Sequence, residues 1–236
     1  MRVEPFGVNS IVHVIKRGAH GGNIVSDNDD HARFARSLFY LNDTYTDSYW
    51  HRTVAHLPPF EWPGDWPERE PLVRILGWTL LSNHFHLLLQ EIREGGVAKF
   101  MQRLCGSMST CFNAKYQEQG SLFQGPYRAR LVSSDEQLRY LVFYILVKNV
   151  LDARRGGVRA ALSDFNDAWD WAKQYPHSSL RDCISGGLSP VTDDPDGLIH
   201  SVIGAGNSYK KEARELLAFH INAAGGDLKE YMLEPW

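Results

Sequence analysis

Two histidines one residue apart, His84 and His86, stand inside the apolar run Trp78 to Gln90, WTLLSNHFHLLLQ. In an extended strand successive side chains point to opposite faces. His84, His86, Leu88 and Gln90 then share one face, and Phe85, Leu87 and Leu89 the other. Two imidazoles side by side on a rigid strand make half of a metal site, and imidazole suits several divalent ions. The competing reading of a bare His-x-His is a pair of histidines on a polar sheet face. A metallohydrolase would need an acidic third ligand, and no Asp or Glu motif near the pair supplies one. The chain also lacks the alternating strand–helix units of a barrel hydrolase.

LLSNHFHLLLQ resembles the "MPNHxHLL" signature of the REP-associated tyrosine transposases, members of the HUH class of single-strand DNA transposases and nickases. The resemblance extends over roughly Ser10 to Asp182. SIVHVIKRG is similar to the opening "YHVxxRG", and STCFNAKYQEQGSLFQGPYRAR to "YxxxFNxxxxxxGxLFQ". FYILVKNVLDARR is similar to "YIxxNPVRA", and AWDWAKQYPHSSL to a "WxWSSY" tail. His13 shares the histidine of the opening, although by chemistry alone it reads as a structural strand residue. The resemblance implies a ferredoxin-like HUH fold in which a tyrosine attacks the scissile phosphate, forms a 5′-phosphotyrosine and frees a 3′-OH. Tyr144 is the implied nucleophile, and Tyr140, one turn earlier, is its rival. His84 and His86 are implied to hold the metal with Asn149 completing the set. Mg2+ or Mn2+ suits a phosphate site whose third ligand is neutral.

Such a reaction has definite needs. A tyrosine hydroxyl, with a pKa near 10, is a weak nucleophile at neutral pH. A divalent ion helps by neutralising phosphate oxygens, and the protein must hold the hydroxyl in line with the leaving oxygen. The covalent intermediate conserves the bond energy for rejoining.

Two departures from the family's motif bear on geometry. Val150 stands where proline is usual, and Asn149 follows Tyr144 by five residues where the family has four. On an ideal α-helix i and i+4 share a face, while i+5 is turned away. Lys148 occupies i+4, and an ammonium has no lone pair for a metal. One extra residue accommodated as a π-bulge would bring Asn149 back to the site, and such bulges recur at functional positions. Otherwise another residue or water serves as third ligand. The same departure keeps open a second reading, a domesticated and catalytically inactive protein that binds repeat DNA.

A hold on unpaired DNA is the remaining need. Net charge is -3, yet from Lys99 to Arg130 the charged residues are Lys99, Arg103, Lys115, Arg128 and Arg130 against Glu118 alone. Lys16, Arg17, Arg103, Asn113, Lys115, Gln124, Tyr127, Arg128 and Arg130 are the candidate DNA contacts. Arg128 and Arg130 fall on one face of a strand expected over 121–132, an arrangement suited to a phosphate backbone. The resemblance implies single-stranded or hairpin DNA as partner, at hairpin-forming repeats, and a monomer or homodimer. Trp62 and Trp66, in HLPPFEWPGDWPEREP, either stack on bases or anchor that loop.

These residues need a scaffold. Ser10 to Lys16 alternates as a strand, and Asp27 or Asn28 caps a helix running to about Tyr40. Leu72–Leu81 and His84–Gln90 read as a hairpin, followed by a helix from about Val97 to Gln117. After the strand over 121–132, Ser133 and Glu136 have capping-box spacing for a helix that ends at Arg154 to Gly157. The order fits an α+β fold, a ferredoxin-like antiparallel sheet with helices on one face. A catalytic core at 8–155 and a partly helical C-terminal extension at 156–236 are expected, with a terminal helix over Lys210 to Ala224.

Hydrophobic residues make up 43% of the chain, as in soluble globular proteins. No apolar run is long enough to span a bilayer, and MRVEPFGVNS lacks the apolar core of a signal peptide. Cys105, Cys111 and Cys183 are too few and too irregular for a zinc ribbon or disulfide framework. A cytoplasmic protein with reduced thiols and no membrane partner is expected.

Overall fold

The computed structural model describes residues 5–186, 189–204 and 207–223. Alternation in three apolar segments builds its sheet. β1 (Ile11–Arg17), β2 (Val73–Leu80) and β3 (His84–Glu91) join β4 (Arg128–Leu131) in the order β2-β3-β1-β4, all antiparallel. The expected hairpin is the β2–β3 pair, and the order is that of a ferredoxin-like sheet. β4 is shorter than the expected strand over 121–132. Gly120 and Gly125 take positive φ (92° and 52°), Pro126 has no amide to donate, and Phe123 makes only an isolated bridge to Gly18.

One face of the sheet carries α1 (Asn28–Tyr40) and α3 (Gly96–Tyr116). Val12, Val14, Phe85, Leu87 and Leu89 pack there with Phe34, Leu38, Phe100 and Leu104. Asp27 caps α1, its carboxylate accepting from the Asp30 amide at 3.0 Å. Between these helices and β2 the short α2 (Trp50–Thr53) and the proline-rich loop wrap around an aromatic cluster. Trp62 Nε1 donates to the Pro67 carbonyl at 2.8 Å, and the Trp62 ring lies 4.9 Å from Trp66. Both tryptophans pack partly buried against the core, as anchors of the loop.

Helices cover both faces, not one as expected. Leu76 and Leu88 open a second apolar cluster, filled from α4 (Asp135–Phe143) and α5 (Asn149–Ala153). It is completed from the helices beyond residue 156: α6 (Gly157–Ser163), α7 (Phe165–Gln174), α8 (Leu180–Ser185), α9 (Leu198–Ile203) and α10 (Asn207–Asn222). The physical reason is that Leu76 and Leu88 put apolar surface on the face bearing the histidines, so that face also needs a cover. The extension therefore shares an apolar core with α4. The capping box of α4 sits one residue later than expected. Ser134 Oγ accepts from the Gln137 amide at 3.1 Å, and Gln137 Oε1 accepts from the Ser133 amide at 2.8 Å. The terminal helix spans Asn207–Asn222, and the end of the expected Lys210 to Ala224 segment lies outside the described residues.

Among the described residues no helix is long and apolar enough to cross a membrane. Cys105, Cys111 and Cys183 are free thiols.

Candidate active site

Strand register lays the site out. Across the face beneath α4 and α5, Thr79, His86, Ile15 and Arg128 are successive partners on β2, β3, β1 and β4. Two residues along, Arg17 pairs with His84. Two residues the other way, His13 lies between Leu88 and Arg130. One face thus carries His84, His86, His13, Arg17, Arg128 and Arg130, which includes the expected pair of histidines and pair of arginines.

His13 and His86 are fully buried, with His13 Nε2 2.9 Å from His86 Nδ1. Their rings stack 5.2 Å apart at 18°. The His84 ring stands nearly upright to His86 at 5.0 Å. His84 Nδ1 lies 2.6 Å from Asn83 Oδ1; an amide oxygen only accepts, so Nδ1 carries the proton and Nε2 the lone pair. Burial pushes His13 down to about 3, and the Arg130 guanidinium adds to the effect. Burial also holds His86 well below the ordinary imidazole range, with His13, His84 and Lys148 adding. Both buried rings are neutral at physiological pH.

The helix above this face is not α-helical throughout. Between α4 and α5, Tyr144–Lys148 forms a π-helical turn in which the Asn149 amide donates to the Tyr144 carbonyl. The Thr79 hydroxyl, adjacent to His86 in the sheet, donates to the Ile145 carbonyl at 2.6 Å and ties the turn to the strand. Tyr144 is buried, its ring 5.6 Å from His86 and 6.1 Å from His13, edge-on to both. Lys148 Nζ lies 4.9 Å from the Tyr144 ring centre and pairs with Asp152 at 2.6 Å. Asn149 is buried; its Oδ1 accepts from Lys148 Nζ at 3.4 Å. His86 Nε2, His13 Nδ1 and Asn149 Nδ2 are among the buried nitrogens of the described residues that have no hydrogen-bond partner. Tyr140, the rival tyrosine, is engaged elsewhere. Its hydroxyl meets His220 Nδ1 of α10 at 2.8 Å, and burial raises its pKa far above the usual tyrosine value.

A divalent ion has donors to meet here. His86 Nε2 and the Asn149 amide are buried polar groups short of partners, and turning that amide by 180° exchanges its oxygen and nitrogen. Imidazole nitrogen and amide oxygen are both neutral ligands suited to an ion that also takes phosphate oxygens. Among the described residues no group of three or more His, Cys, Asp or Glu could hold a metal by itself.

β2, the two-histidine strand, α3, β4, α4 and most of the π turn fall within residues 69–147, which match the family described as "Transposase IS200 like". The match covers about a third of the chain. The IS200-like segment contains His84, His86, Arg128, Arg130, Tyr140 and Tyr144, while His13 and Asn149 lie outside it. No curated protein matches the chain. Among solved structures, one described as a REP-associated tyrosine transposase bound to a REP hairpin is similar at 12% identity with a TM-score of 0.42. That match covers 83% of this chain and 94% of the other, and a likeness of that size adds no weight to any residue assignment.

The other expected DNA contacts divide into two groups. Arg17, Arg128 and Arg130 line the sheet face that carries the histidines and are partly exposed. Lys16 points to the opposite face, is buried, donates to the Gly125 carbonyl and lies 5.2 Å from the Phe123 ring centre. Arg103 donates to the carbonyls of Asp43, Thr44 and Tyr45 and holds that loop. Lys115 pairs with Asp27 at 2.6 Å and Asp30 at 2.8 Å, tying the end of α3 to the start of α1. Asn113 Nδ2 donates to the Gly120 carbonyl at 2.9 Å, closing the α3 C-terminus. The Gln124 side chain is exposed and Tyr127 packs against the first core. Lys16, Arg103, Lys115 and Asn113 are thus each engaged within the chain. Each reaches an internal partner because its element's packing leaves a carbonyl or carboxylate in range.

Sequence reasoning left out three participants. His13 needed the β1–β3 register, Thr79 needed the approach of the π turn, and His220 needed the return of α10. The available signals for His13 were the alternation of SIVHVIK, which set it on the face opposite Val12 and Val14, and its likeness to the histidine of the opening motif.

Proposed function

We propose that the chain cleaves and rejoins single-stranded DNA at hairpin-forming repeats, with Tyr144 as nucleophile and a 5′-phosphotyrosine intermediate. The observation that carries this reading is the approach of Tyr144 to His86, ring centres 5.6 Å apart, on a face that also bears Arg128 and Arg130. His84, His86 and Asn149 would hold Mg2+ or Mn2+, which when bound supplies charge neutralisation at the scissile phosphate. The chain's own residues do the rest. The π turn and the Thr79 bond hold Tyr144 over the strand, and the arginines offer fixed positive charge to the DNA backbone. The hydroxyl oxygen of Tyr144 forms the new bond to phosphorus, its proton leaves, and the 3′ oxygen departs with the electron pair. Reversal of the same step rejoins the strand.

A second reading is favoured by one observation, the full burial of Tyr144 beneath α10, with His220 6.1 Å from its ring. It is a repeat-DNA-binding protein without cleavage.

The test is a cleavage assay on single-stranded hairpin oligonucleotides with Mg2+ or Mn2+, scored for a covalent protein–DNA adduct. Wild type and Tyr140→Phe are expected to form the adduct, and Tyr144→Phe and His84→Ala to lose it. An adduct that survives Tyr144→Phe and disappears with Tyr140→Phe moves the nucleophile to Tyr140. Binding without any adduct, across a panel that includes the host's own repeats, decides for the second reading.

A further inference from the structure

His13 belongs to no part of the proposed reaction, yet its ring nitrogen lies within hydrogen-bond distance of His86. The two imidazoles are diagonal neighbours on the β1–β3 pair, since Ile15 is the direct partner of His86 and His13 lies two residues farther on. Diagonal positions on one face of an antiparallel pair are within reach of rings. Here they meet at 2.9 Å through His13 Nε2 and His86 Nδ1.

A neutral imidazole has one N–H and one lone pair. Only one of the two facing nitrogens can carry the proton of a hydrogen bond. If His13 is the donor, His86 is left with its proton on Nε2, and that ring cannot ligate anything. If His86 is the donor, its Nε2 keeps the lone pair. His86 Nε2 and His13 Nδ1 are both buried without a hydrogen-bond partner, so hydrogen bonding leaves the two arrangements equal, and the need for a ligand nitrogen on His86 selects the second.

We infer that His13 is a positioning residue for His86: its Nε2 accepts from His86 Nδ1–H, fixes the ring's tautomer and rotation, and reserves Nε2 for a divalent cation. The inference rests on the metal reading of the site. Ligating histidines are regularly oriented through their second nitrogen in this way, and loss of the orienting partner typically weakens metal affinity about 10–100-fold. The partner in this protein is another histidine on a neighbouring strand, so the metal-site geometry is built into the sheet register.

The experiment uses the full chain labelled with 15N-histidine, free of metal, with long-range 1H–15N correlation spectra to read each ring's tautomer. Mn2+ binding is titrated in parallel by electron paramagnetic resonance, without DNA. Wild type is expected to show His86 as the Nδ1–H form. His13→Leu is expected to lose the preference and to bind Mn2+ about 10–100-fold more weakly. His13→Gln, which keeps an acceptor near the place of Nε2, is expected to recover most of the affinity. An Nε2–H form of His86 in wild type overturns the inference, and so does unchanged Mn2+ affinity in folded His13→Leu. Should the leucine variant fail to fold, the wild-type spectrum and the glutamine variant still decide. Absence of Mn2+ binding by wild type, with the Nδ1–H form present, overturns the metal reading and leaves the hold of His13 on His86 supported.

Discussion

The backbone amide of Asn149 donates to the carbonyl of Tyr144, five residues earlier. That single i→i+5 bond absorbs one residue into the helix. It turns everything downstream back by about one residue's rotation, so Asn149 takes the angular position that i+4 has in a regular helix. A spacing that departs from the family's motif thereby reaches the same side of the helix.

The π turn makes a length prediction. Deleting Lys148 brings Asn149 to four residues from Tyr144 and removes the need for the bulge. The variant is expected to fold and to keep cleavage within about tenfold of wild type, because what is lost with Lys148 is an ion pair with Asp152, a long contact to Asn149 Oδ1 and the approach to the Tyr144 ring. Inserting an alanine after Val147 is expected to lower cleavage by about 100-fold, since it displaces the helix against the histidines. A deletion variant as inactive as the insertion variant would refute this account of the turn.

Arg128 and Arg130 flank the sheet row that carries Ile15 and His13. If they meet phosphates, each contributes about one unit to the slope of log affinity against log salt. Arg128→Ala and Arg130→Ala are expected to weaken hairpin binding uniformly across sequences and to flatten that slope. Lys115→Ala, whose ammonium is engaged by Asp27 and Asp30, is expected to leave it unchanged. Fluorescence anisotropy at several salt concentrations reads both effects.

Acid is expected to weaken the fold before the carboxylates titrate. The His177 ring stacks on His31 at 3.9 Å, and burial, with His31 adding, lowers its pKa from 6.5 to about 4. Above pH 6.5 neither the folded nor the unfolded chain binds this proton, and the group contributes no difference. As the pH falls from 6.5 toward 4, the unfolded chain takes up a proton that the fold refuses, so stability falls. The urea midpoint should drop between pH 7 and 5, and His177→Gln should recover about 1 kcal/mol of the loss after allowance for solvent screening. Equal drops in the two proteins would contradict the assignment.

Gly18 ends the opening strand where the chain doubles back. A Cβ at this position would lie 2.0 Å from the Gly22 carbonyl oxygen, a backbone atom that cannot swing aside. Gly18→Ala is expected to cost about 1–3 kcal/mol, read as a lower thermal midpoint. An unchanged midpoint would mean that the 18–22 turn opens at little cost.

Much of the scaffold was legible because it rests on short-range periodicity. The alternation of IVHVIKR and HFHLLLQE specifies which residues share a face, and the apolar spacing of Phe34 to Phe39 and Val97 to Met108 specifies α1 and α3. Capping shifted by one residue at Ser134 because Ser133 and Ser134 offer equivalent hydroxyls, and Gln137 answers the second. The basic residues were the weakest reading. A charge count cannot tell Arg128, aligned on the site face, from Arg103, spent on three carbonyls of a distant loop.

The chain's own text determined the two-histidine face and the order of elements, since each follows from residues within a few positions of one another, and the resemblance of FYILVKNVLDARR implied Tyr144 and Tyr140 as candidates. The tertiary structure decided the rest. Register between β1 and β3 brought His13 onto His86 from 73 residues away, and helices after residue 156 closed the face that holds Tyr144. It also decided the π turn. Local propensity alone favours the regular helix, and the Thr79–Ile145 bond and the buried packing of Tyr144 against the sheet hold the wider turn in place. Contacts between residues far apart in the chain depend on strand register and helix docking, which local periodicity does not encode.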